Sequence, residues 1–318
     1  MDLTIIIVNT NSKEMLKNCL HSIRKTTDDL QLQIIVIDNA SSDGSRSMVN
    51  ELFPEVTLLN SGGNIGFARA NNLAIPYVQS PFVLFLNPDT IVKDHTFMVM
   101  VEYLKENSAI GAVGCKAVGL KGEVQELGIQ TFPSPFREFC KLLFVSKRSI
   151  GKMKRFIAYH NSLQSGFVQK LYGHCLMVRK EVIDQVGSFD DRFVMYCEDV
   201  ELCHRIISAG WKLYYLAEVE IIHIGAGYTS GLTNYFAILW TCESLSKLMQ
   251  KYYGNKGVIM YKGGVFVASN IRLLILFILK LIKRFASVEL VKNYNNSIHK
   301  YIEMIKWSLN LSKPKLKQ

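Results

Sequence analysis

The sequence predicts an α/β protein whose sheet is mostly parallel. Apolar, β-branched runs recur at residues 4–8, 33–37 and 82–86, and such runs are typical of strands that are buried on both faces of a sheet. The first two runs end in a polar loop that leads into a helical pattern, as expected where helices connect parallel strands. Open α/β sheets bind ligands at the carboxyl edge of their strands, so we expect a site where these loops lie.

Three of these loops carry candidate ligand-binding side chains. Asn9, Asp38 and Asn39 are the first polar residues after the first two strands. A third strand is predicted at residues 56–59, and the glycine-rich turn after it contains Asn64 and opens into a helix. Glycines permit positive φ and close approach of a ligand to the backbone, and a helix N-terminus favours an anion.

The strand at residues 82–86 carries a carboxylate to the same edge of the sheet. Pro88 cannot donate a ladder hydrogen bond, so the strand is expected to end before Asn87 and Asp89. Asp89 has two interpretations at this point: a carboxylate that caps the turn before the next helix, or a ligand-binding group. The tripeptide alone leaves both open.

The second half of the chain supplies an acidic pair and a histidine. Strands are predicted at residues 110–115, 171–178, 212–216 and 219–224, and helices at 95–107 and 182–187. Glu198 and Asp199 fall in the first turn of a helix that ends at Gly210, where they would at least complement the helix dipole. His223 lies on the last strand, and a single histidine in a strand is more often structural than functional.

The charge is unevenly distributed along the chain. Of a net charge of +10 over 318 residues, residues 139–180 carry +9 and residues 244–318 carry +12, which leaves −11 for the rest. An acidic body with two basic regions is compatible with nucleic acid, an anionic membrane surface or an anionic substrate. The content of hydrophobic residues, 49%, allows one large domain or a domain with an appendage.

The N-terminus and the cysteines indicate a cytoplasmic protein. Met1 and Asp2 lead directly into an apolar strand, without the basic segment and cleavage site of a signal peptide. The seven cysteines contain no C-x-x-C pair. We therefore expect reduced thiols, mostly in the core, and neither a disulfide framework nor a structural zinc site.

Two segments outside the predicted sheet are candidates for membrane contact. Residues 133–169 are basic and mixed in periodicity, which predicts a long functional loop or mobile helices and not part of the core. Helices are predicted beyond residue 233, but the uncharged apolar run at 273–279 is far shorter than the roughly 20 residues of a spanning helix. This pattern favours a helix that lies in the membrane interface over one that spans it, and a helix packed on the core is the remaining alternative.

Five motifs in fixed order resemble the inverting family 2 glycosyltransferases of the GT-A fold, and among them the bacterial rhamnosyltransferase-like branch. The motifs are Ile-Ile-Val-Asn-Thr-Asn, Val-Ile-Asp-Asn-Ala-Ser-Ser-Asp-Gly-Ser, Asn-Ile-Gly-Phe-Ala-Arg-Ala-Asn-Asn, Leu-Asn-Pro-Asp and Met-Tyr-Cys-Glu-Asp-Val-Glu-Leu-Cys-His-Arg. The resemblance covers residues 3–227. It implies one Rossmann-like GT-A domain at residues 1–232. Beyond this domain, the helical pattern and the basic charge predict a C-terminal helical appendage at 233–318 that associates with the membrane.

The resemblance also implies roles in donor and metal binding. Asp89 matches the metal-binding aspartate of the family, and His223 matches a histidine that completes the contacts to the metal, Mg²⁺ or Mn²⁺, or to the diphosphate. Asn87 stands where the family has its first acidic residue and is expected near the ribose or the metal's water. Asp38 and Asn39 match the part that reads the pyrimidine base. Residues expected to line the nucleotide pocket are Asn9 and Asn64.

For catalysis, the resemblance makes Asp199 the general base that takes the proton of the acceptor hydroxyl. Glu198 beside it is expected to orient the acceptor or to share this task. Asp191, Val194 and Glu201 depart from the family pattern around these residues, which bears on the acceptor pocket.

The predicted activity is transfer of a sugar, rhamnose or another hexose, from a deoxythymidine or uridine diphosphate donor to a saccharide, in particular a lipid-linked one, in cell-surface polysaccharide synthesis. The enzyme is expected on the inner face of the cell membrane, with basic residues 147–155 and the C-terminal helix against anionic lipid. No nucleic acid partner is expected, because aromatic and basic residues do not interleave as in an RNA-binding sheet. The alternative is an inactive α/β protein that binds nucleic acid or an anionic surface.

Overall fold

A computed structural model describes residues 1–26, 30–125, 127, 130–144, 160–225, 234–282 and 288–314. The described residues form two compact units. Residues 1–132 and 158–230 belong to the first, called the sheet unit, and residues 133–157 and 231–317 belong to the second, called the helical unit.

The sheet unit contains nine strands among its described residues. They are β1 (Leu3–Asn9), β2 (Leu32–Asp38), β3 (Thr57–Asn60), β4 (Phe82–Leu86), β5 (Thr90–Val92), β6 (Ile110–Val118), β7 (Gly166–Val168), β8 (Cys175–Arg179) and β9 (Lys212–His223). Their order in the sheet is β3-β2-β1-β4-β8-β6-β9-β5, with β7 paired to β9.

The sheet is mixed where the sequence predicts a mostly parallel one. The four strands β3, β2, β1 and β4 run parallel, and so do β6 and β9. Strand β8 enters antiparallel between β4 and β6, and β5 and β7 pair antiparallel with β9. The predicted α/β fold is confirmed, and its parallel half is the part that carries the polar loops.

Helices cover both faces of this sheet. The helices of the sheet unit are α1 (Lys13–Thr26), α2 (Ser45–Leu52), α3 (Phe67–Ala74), α4 (Thr96–Glu106), α6 (Lys180–Val186) and α7 (Glu198–Ser208). Alternate residues of β1 face opposite layers, because Ile5 and Ile7 pack with α1, α2 and α4 while Ile6 and Val8 pack with α3, α6 and α7. Double-sided burial explains why β1, β2 and β4 are almost continuously apolar.

Three sequence-based assignments need correction. The two strands predicted at residues 212–216 and 219–224 are one continuous strand, β9, whose register against β6 shifts between Cys115 and Lys116. This irregularity accommodates the residues that lie between the two predicted strands. The strand predicted at 171–178 begins only at Cys175, as β8. In the segment 133–169, predicted as a long functional loop or mobile helices, residues Pro135–Phe144 form helix α5, which belongs to the helical unit. Residues 145–159, including the basic cluster at 147–155, lie outside the described residues.

The helical unit consists of α5, α8 (Asn234–Ile282) and α9 (Val288–Ser308), and Gly254 interrupts α8 with a φ of 63°. Trp307 and Val265 are buried where these helices pack. Among the described residues, one stretch, Phe236–Ile278, is long and apolar enough to cross a membrane, and 22% of its most apolar window is buried. Length and composition alone do not distinguish a spanning helix from a packed one.

All seven cysteines are free thiols, as predicted. Five of them are buried, namely Cys19, Cys115, Cys175, Cys203 and Cys242. Burial raises the pKa of the Cys19, Cys203 and Cys242 thiols to about 12. These thiols therefore stay protonated and act as small apolar side chains.

Candidate active site

The parallel strands bring the predicted donor-binding residues to one edge. In the sheet register Asn9 pairs with Asp38, and Asp38 pairs with Asn60. Asn9, Asp38 and Asn39 are almost completely buried although they are polar. Because Ile7 of β1 pairs with Leu86 of β4, the loop that holds Asp89 begins at the same edge.

Asn39 ties the loops after β2 and β3 together. Its Nδ2 donates to Oδ1 of Asn64 at 3.0 Å, and its Oδ1 accepts the backbone N–H of Ile65 at 2.9 Å. The Ser61 hydroxyl adds a bond to the backbone oxygen of Asp38 at 3.0 Å. Asn39 and Asn64 are thus joined directly, and the glycine-rich turn is fixed against the strand edge.

Two buried oxygens at this edge have no hydrogen-bond partner among the described residues. They are Oδ1 of Asn9 and Oδ1 of Asp38. The other polar atom of each side chain contacts Ser41, whose hydroxyl accepts from Asn9 Nδ2 at 3.0 Å and whose N–H donates to Asp38 Oδ2 at 3.3 Å. A buried acceptor without a donor costs about 1–3 kcal/mol. The edge is therefore suited to a ligand that brings N–H or O–H donors.

Asp89 and His223 meet because β5 pairs with the end of β9. Thr90 is opposite His223 in the antiparallel register, and the N–H of Ile224 donates to the backbone oxygen of Asp89 at 3.0 Å. The side chains lie above this ladder, with His223 Nε2 3.5 Å from Asp89 Oδ1. Both side chains are largely buried, at 15% and 5% exposure.

Two residues that the sequence analysis missed complete this corner. Gln125 contacts His223 twice, through Nε2 to the His223 backbone oxygen and through Oε1 to Nδ1, each at 2.7 Å. His174 stacks on the His223 ring with centroids 4.7 Å apart. Loss of solvation, with a smaller effect of His223, lowers the pKa of His174 to about 3, so this ring is neutral.

The Asp89–His223 corner fits a divalent cation. Metal–oxygen and metal–nitrogen bonds are about 2.0–2.2 Å long, so two donor atoms 3.5 Å apart can reach the same ion. Within the described residues no group of three or more His, Cys, Asp or Glu side chains gathers around a common point. Such an ion would complete its coordination with water and phosphate oxygens, as Mg²⁺ commonly does.

Asn87 is held by its backbone in this structure. Its N–H donates to the backbone oxygen of His174 at 3.1 Å, and its own carbonyl accepts the Thr90 hydroxyl at 2.8 Å. The residue is partly exposed. It borders the Asp89 corner without joining the contact between Asp89 and His223.

A strained turn positions the acidic pair. Tyr196 and Cys197 both have left-handed φ angles, 67° and 65°, and helix α7 begins immediately after them at Glu198. Left-handed conformations of non-glycine residues cost of order 1–3 kcal/mol and cluster at functional sites. Asp199 accepts the N–H of Gly173 at 3.0 Å through Oδ2, and this bond connects the pair to the segment that carries His174.

The two carboxyl groups differ in their surroundings. Glu198 is buried and its Oε2 has no hydrogen-bond partner among the described residues. Burial, and then the charge of Asp199, raise the pKa of Glu198 to about 8. Burial also raises the pKa of Asp199, but the N–H groups of Gly173 and Val200 oppose this effect by stabilising its charge. Glu198 therefore favours its protonated form at neutral pH, whereas the backbone N–H groups at Asp199 favour the charged form of that carboxyl group.

The three departures from the family pattern have structural partners. Glu201 is fully buried and binds Arg205 through both carboxylate oxygens at 2.9 Å. Asp191 Oδ1 accepts from Asn72 at 2.6 Å. Val194 packs so closely on Gly66 that a Cβ at residue 66 would lie 2.7 Å from the Val194 oxygen. Each of the three residues therefore makes a specific packing or hydrogen-bond contact within the sheet unit.

Two family models match parts of this chain. A family model described as "Glycosyl transferase family 2" matches residues 4–187, more than half of the chain. A second, described as "Glycosyl transferase family group 2", matches residues 137–307.

Two relatives with named activities align with more than two thirds of the chain. The chain is 27% identical to the rhamnosyltransferase WbbL of Escherichia coli K12 over 228 residues, which cover 69% of this chain and 82% of that protein. It is 28% identical to the N-acetylglucosaminyl-diphospho-decaprenol L-rhamnosyltransferase of Mycobacterium tuberculosis, covering 70% of this chain and 75% of the relative.

Solved structures share the fold at low sequence identity. The mannosyltransferase PcManGT from Pyrobaculum calidifontis, solved in complex with GDP-Man and Mn²⁺, superposes with a TM-score of 0.57 at 16% identity, covering 97% of this chain and 86% of that one. S. aureus TarS 1-349 in complex with UDP gives a TM-score of 0.52 at 13% identity, covering 98% and 83%.

Proposed function

Because the chain belongs to glycosyl transferase family 2, we propose that it transfers a hexose from a nucleotide-diphosphate donor to a saccharide acceptor with inversion at the anomeric carbon. The observation that supports this proposal is the proximity of three features: the buried polar cluster of Asn9, Asp38 and Asn39 at the end of the parallel strands, the Asp89–His223 corner at the same edge, and a buried carboxyl pair linked to that corner through Gly173 and His174. The family match and a buried carboxyl pair with raised pKa values favour this proposal over the alternative of an inactive binding protein.

The relatives support a role in cell-surface polysaccharide synthesis and a lipid-linked acceptor. Their names include a rhamnosyltransferase that acts on N-acetylglucosaminyl-diphospho-decaprenol and O-antigen chain rhamnosyltransferases. We propose rhamnose from a deoxythymidine diphosphate donor first, and a hexose from a uridine diphosphate donor second.

Donor binding is assigned to the buried edge formed by β1, β2 and the glycine-rich turn. The unpartnered oxygens of Asn9 and Asp38 accept hydrogen bonds, which suits the imide N–H of a pyrimidine base and the ribose hydroxyls. Asn39 and Asn64 hold the turn against this edge. Asn87 is assigned to the ribose or to the metal's water.

Asp89 and His223 are assigned to the diphosphate end of the donor. A divalent cation held there, Mg²⁺ or Mn²⁺, would neutralise the charge that develops on the leaving diphosphate. The negative charge of Asp89 and the nitrogen of His223 are the contributions of this chain to holding that cation.

Asp199 is assigned as the general base. It takes the proton of the acceptor hydroxyl while the hydroxyl oxygen bonds to the anomeric carbon and the bond to the diphosphate breaks. Backbone N–H groups hold the Asp199 carboxylate in one orientation. Glu198, protonated at neutral pH, is suited to donate a hydrogen bond to the acceptor.

Two measurements test the activity. A thermal-shift screen of nucleotide sugars with Mn²⁺ or Mg²⁺ should identify the donor, because a ligand at 100 times its dissociation constant stabilises the fold by about 2.7 kcal/mol. NMR of the product should then show the anomeric configuration opposite to that of the donor. A product with the donor's configuration would contradict inversion, and no stabilisation by any nucleotide sugar would contradict the proposed activity.

The helical unit is assigned to contact with an anionic membrane surface. Met260, Val267 and Leu274 recur every seven residues on α8 and are 61%, 45% and 58% exposed. The basic excess of residues 244–318 complements anionic headgroups. This arrangement would keep a cytoplasmic enzyme close to a lipid-linked acceptor.

Vesicle flotation tests this assignment. The protein should float with phosphatidylglycerol-containing vesicles more than with phosphatidylcholine vesicles, and the double substitution Leu274→Glu, Phe277→Glu should reduce flotation. Leu120→Glu is the control, because Leu120 is similarly exposed but lies in the sheet unit. Equal binding to both vesicle types, unchanged by the double substitution, would contradict membrane docking by α8.

A further inference from the structure

Gln125 contacts His223 at two points that together determine the state of the imidazole ring. A backbone carbonyl can only accept hydrogen bonds, so the Gln125 atom that lies 2.7 Å from the His223 oxygen must be the amide nitrogen. The amide oxygen then faces His223 Nδ1, also at 2.7 Å. The reverse orientation of the amide would place two oxygens against each other.

The orientation of this amide determines which ring nitrogen carries the proton. An amide oxygen is only an acceptor, so His223 Nδ1 must donate to it. In the neutral ring Nε2 then has a free lone pair, and this nitrogen is the one that lies 3.5 Å from the Asp89 carboxylate. In the opposite tautomer, Nε2 would carry a proton that points into the space between Nε2 and the Asp89 carboxylate. This N–H would exclude a cation from that space.

The fold holds Gln125 and the ring from several directions. After β6 the chain turns at Gly122, which has a φ of 79°, and returns so that the Gln125 N–H donates to the Ala117 oxygen at 2.9 Å. Ala117 is paired in turn with Ile221 of β9, two residues before His223. His174 covers one face of the His223 ring. Rotation of the imidazole is therefore restricted both at its edge and at its face.

We propose that Gln125 is a positioning residue that holds His223 in the Nδ1–H tautomer and so presents Nε2 to a divalent cation shared with Asp89. The proposal rests on the proposed function for the presence of the cation, but not for the tautomer itself. Partners that orient metal-binding histidines in this way are worth about 10- to 100-fold in metal affinity.

The first test reads the tautomer directly in the metal-free protein. Long-range ¹H–¹⁵N NMR of protein labelled with ¹⁵N-histidine distinguishes the two neutral tautomers, and the spectrum of His223→Ala identifies the His223 signals. The wild-type protein should show Nδ1–H. Gln125→Leu should give a mixture of tautomers or the other one, whereas Gln169→Leu, at an exposed glutamine of the same unit, should preserve the wild-type pattern. An Nε2–H ring in the wild-type protein would overturn the proposal without any variant at residue 125.

The second test measures Mn²⁺ affinity by electron paramagnetic resonance. Gln125→Leu should bind Mn²⁺ about 10- to 100-fold more weakly than the wild-type protein. Gln169→Leu, at an exposed glutamine of the same unit, should bind normally. Equal affinity in Gln125→Leu and wild type would overturn the proposal. If the wild-type protein bound no Mn²⁺, the proposed metal corner would fail, and the tautomer measurement would still decide the role of Gln125.

Discussion

The candidate metal corner at Asp89 and His223 and the carboxyl pair at Glu198 and Asp199 are built in different ways. The metal corner joins residues more than a hundred positions apart, and a regular β-ladder brings them together. The carboxyl pair consists of adjacent residues, and a turn with two left-handed φ angles presents it. The positions of Asp89 and His223 depend on strand pairing in the sheet. The positions of Glu198 and Asp199 depend on the strained turn before them and on a hydrogen bond from the Gly173 N–H.

This difference in construction leads us to expect that the Asp89–His223 corner affects ion binding and that the carboxyl pair affects proton transfer. A corner held by the sheet is rigid, which suits an ion with a demanding coordination geometry. A buried carboxyl pair has strongly shifted pKa values, which suits proton transfer. Changes in the corner should therefore alter metal and donor binding, whereas changes in the pair should alter the rate of transfer and its pH dependence.

Among the substitutions considered, Asp89→Ala is expected to reduce turnover of the nucleotide sugar the most. Loss of the carboxylate removes several kcal/mol of stabilisation of the leaving diphosphate, or about four orders of magnitude in turnover at 1.36 kcal/mol per factor of ten. Nucleotide-sugar turnover and donor binding, each measured with and without Mn²⁺, check this. Asp94→Ala is the control, because Asp94 is exposed on the same segment. If Asp89→Ala still bound the donor in a metal-dependent way, Asp89 and His223 would not be the residues that hold the cation.

Asp199→Asn should lower kcat by about 10²- to 10⁴-fold and leave donor binding unchanged, because general base catalysis contributes that much. The asparagine retains an oxygen that can accept the Gly173 N–H. Steady-state kinetics, together with calorimetry of donor binding, separate the two effects. If transfer continued at a substantial rate in Asp199→Asn, Glu198 would have to be the general base, and the roles proposed for the two carboxyl groups would be exchanged.

Glu198→Gln should change how stability depends on pH. The folded-state pKa of about 8 lies above the ordinary glutamate value of 4.5, so the folded protein retains a proton that the unfolded chain releases between these values. The stabilisation is complete below the unfolded pKa and is lost as pH rises through about 8. Wild-type Tm should therefore fall between about pH 5 and about pH 8.5 more steeply than that of Glu198→Gln.

A control for this experiment is Glu106→Gln, at an exposed glutamate on α4, which should reproduce the wild-type slope. Parallel curves for wild type and Glu198→Gln would mean that Glu198 ionises normally, and it would then not be suited to donate a hydrogen bond to the acceptor at neutral pH.

The smallest effect is expected from Asn87→Asp, which adds a second carboxylate beside the metal corner. Ligand charge tunes the affinity of oxygen sites for divalent cations, so Mn²⁺ affinity should rise by up to about tenfold. Electron paramagnetic resonance measures the change, with the exposed Asn50→Asp as control. An unchanged or weaker affinity would place the residue 87 side chain away from the cation.

Sequence reasoning succeeded where local pattern determines structure. The apolar runs of β1, β2 and β4 predict buried strands because both faces of these strands are covered. Their polar ends predict the edge at which Asn9, Asp38 and Asn39 gather, because parallel strands end on the same side. The family resemblance is confirmed by the match over residues 4–187.

The remaining features depend on pairings between distant segments. The sequence carries no local sign that β8 enters the sheet antiparallel, or that the hairpin after β6 delivers Gln125 to a histidine 98 residues away. His174 precedes β8 and resembles an ordinary polar residue before a strand until its ring is seen against His223. Glycines near Gln125 do indicate a turn, but a turn in the sequence does not indicate which distant residue Gln125 contacts.

The buried thiols have a practical consequence. Cys19, Cys175 and Cys203 lie in the sheet unit and Cys242 lies in the helical unit, all shielded from solvent. An alkylating reagent reaches such a thiol only when the surrounding structure opens, so its labelling rate reports the free energy of that opening. The native chain therefore contains a reporter of local unfolding in each unit, and different labelling rates for Cys242 and Cys19 would show that the two units open separately.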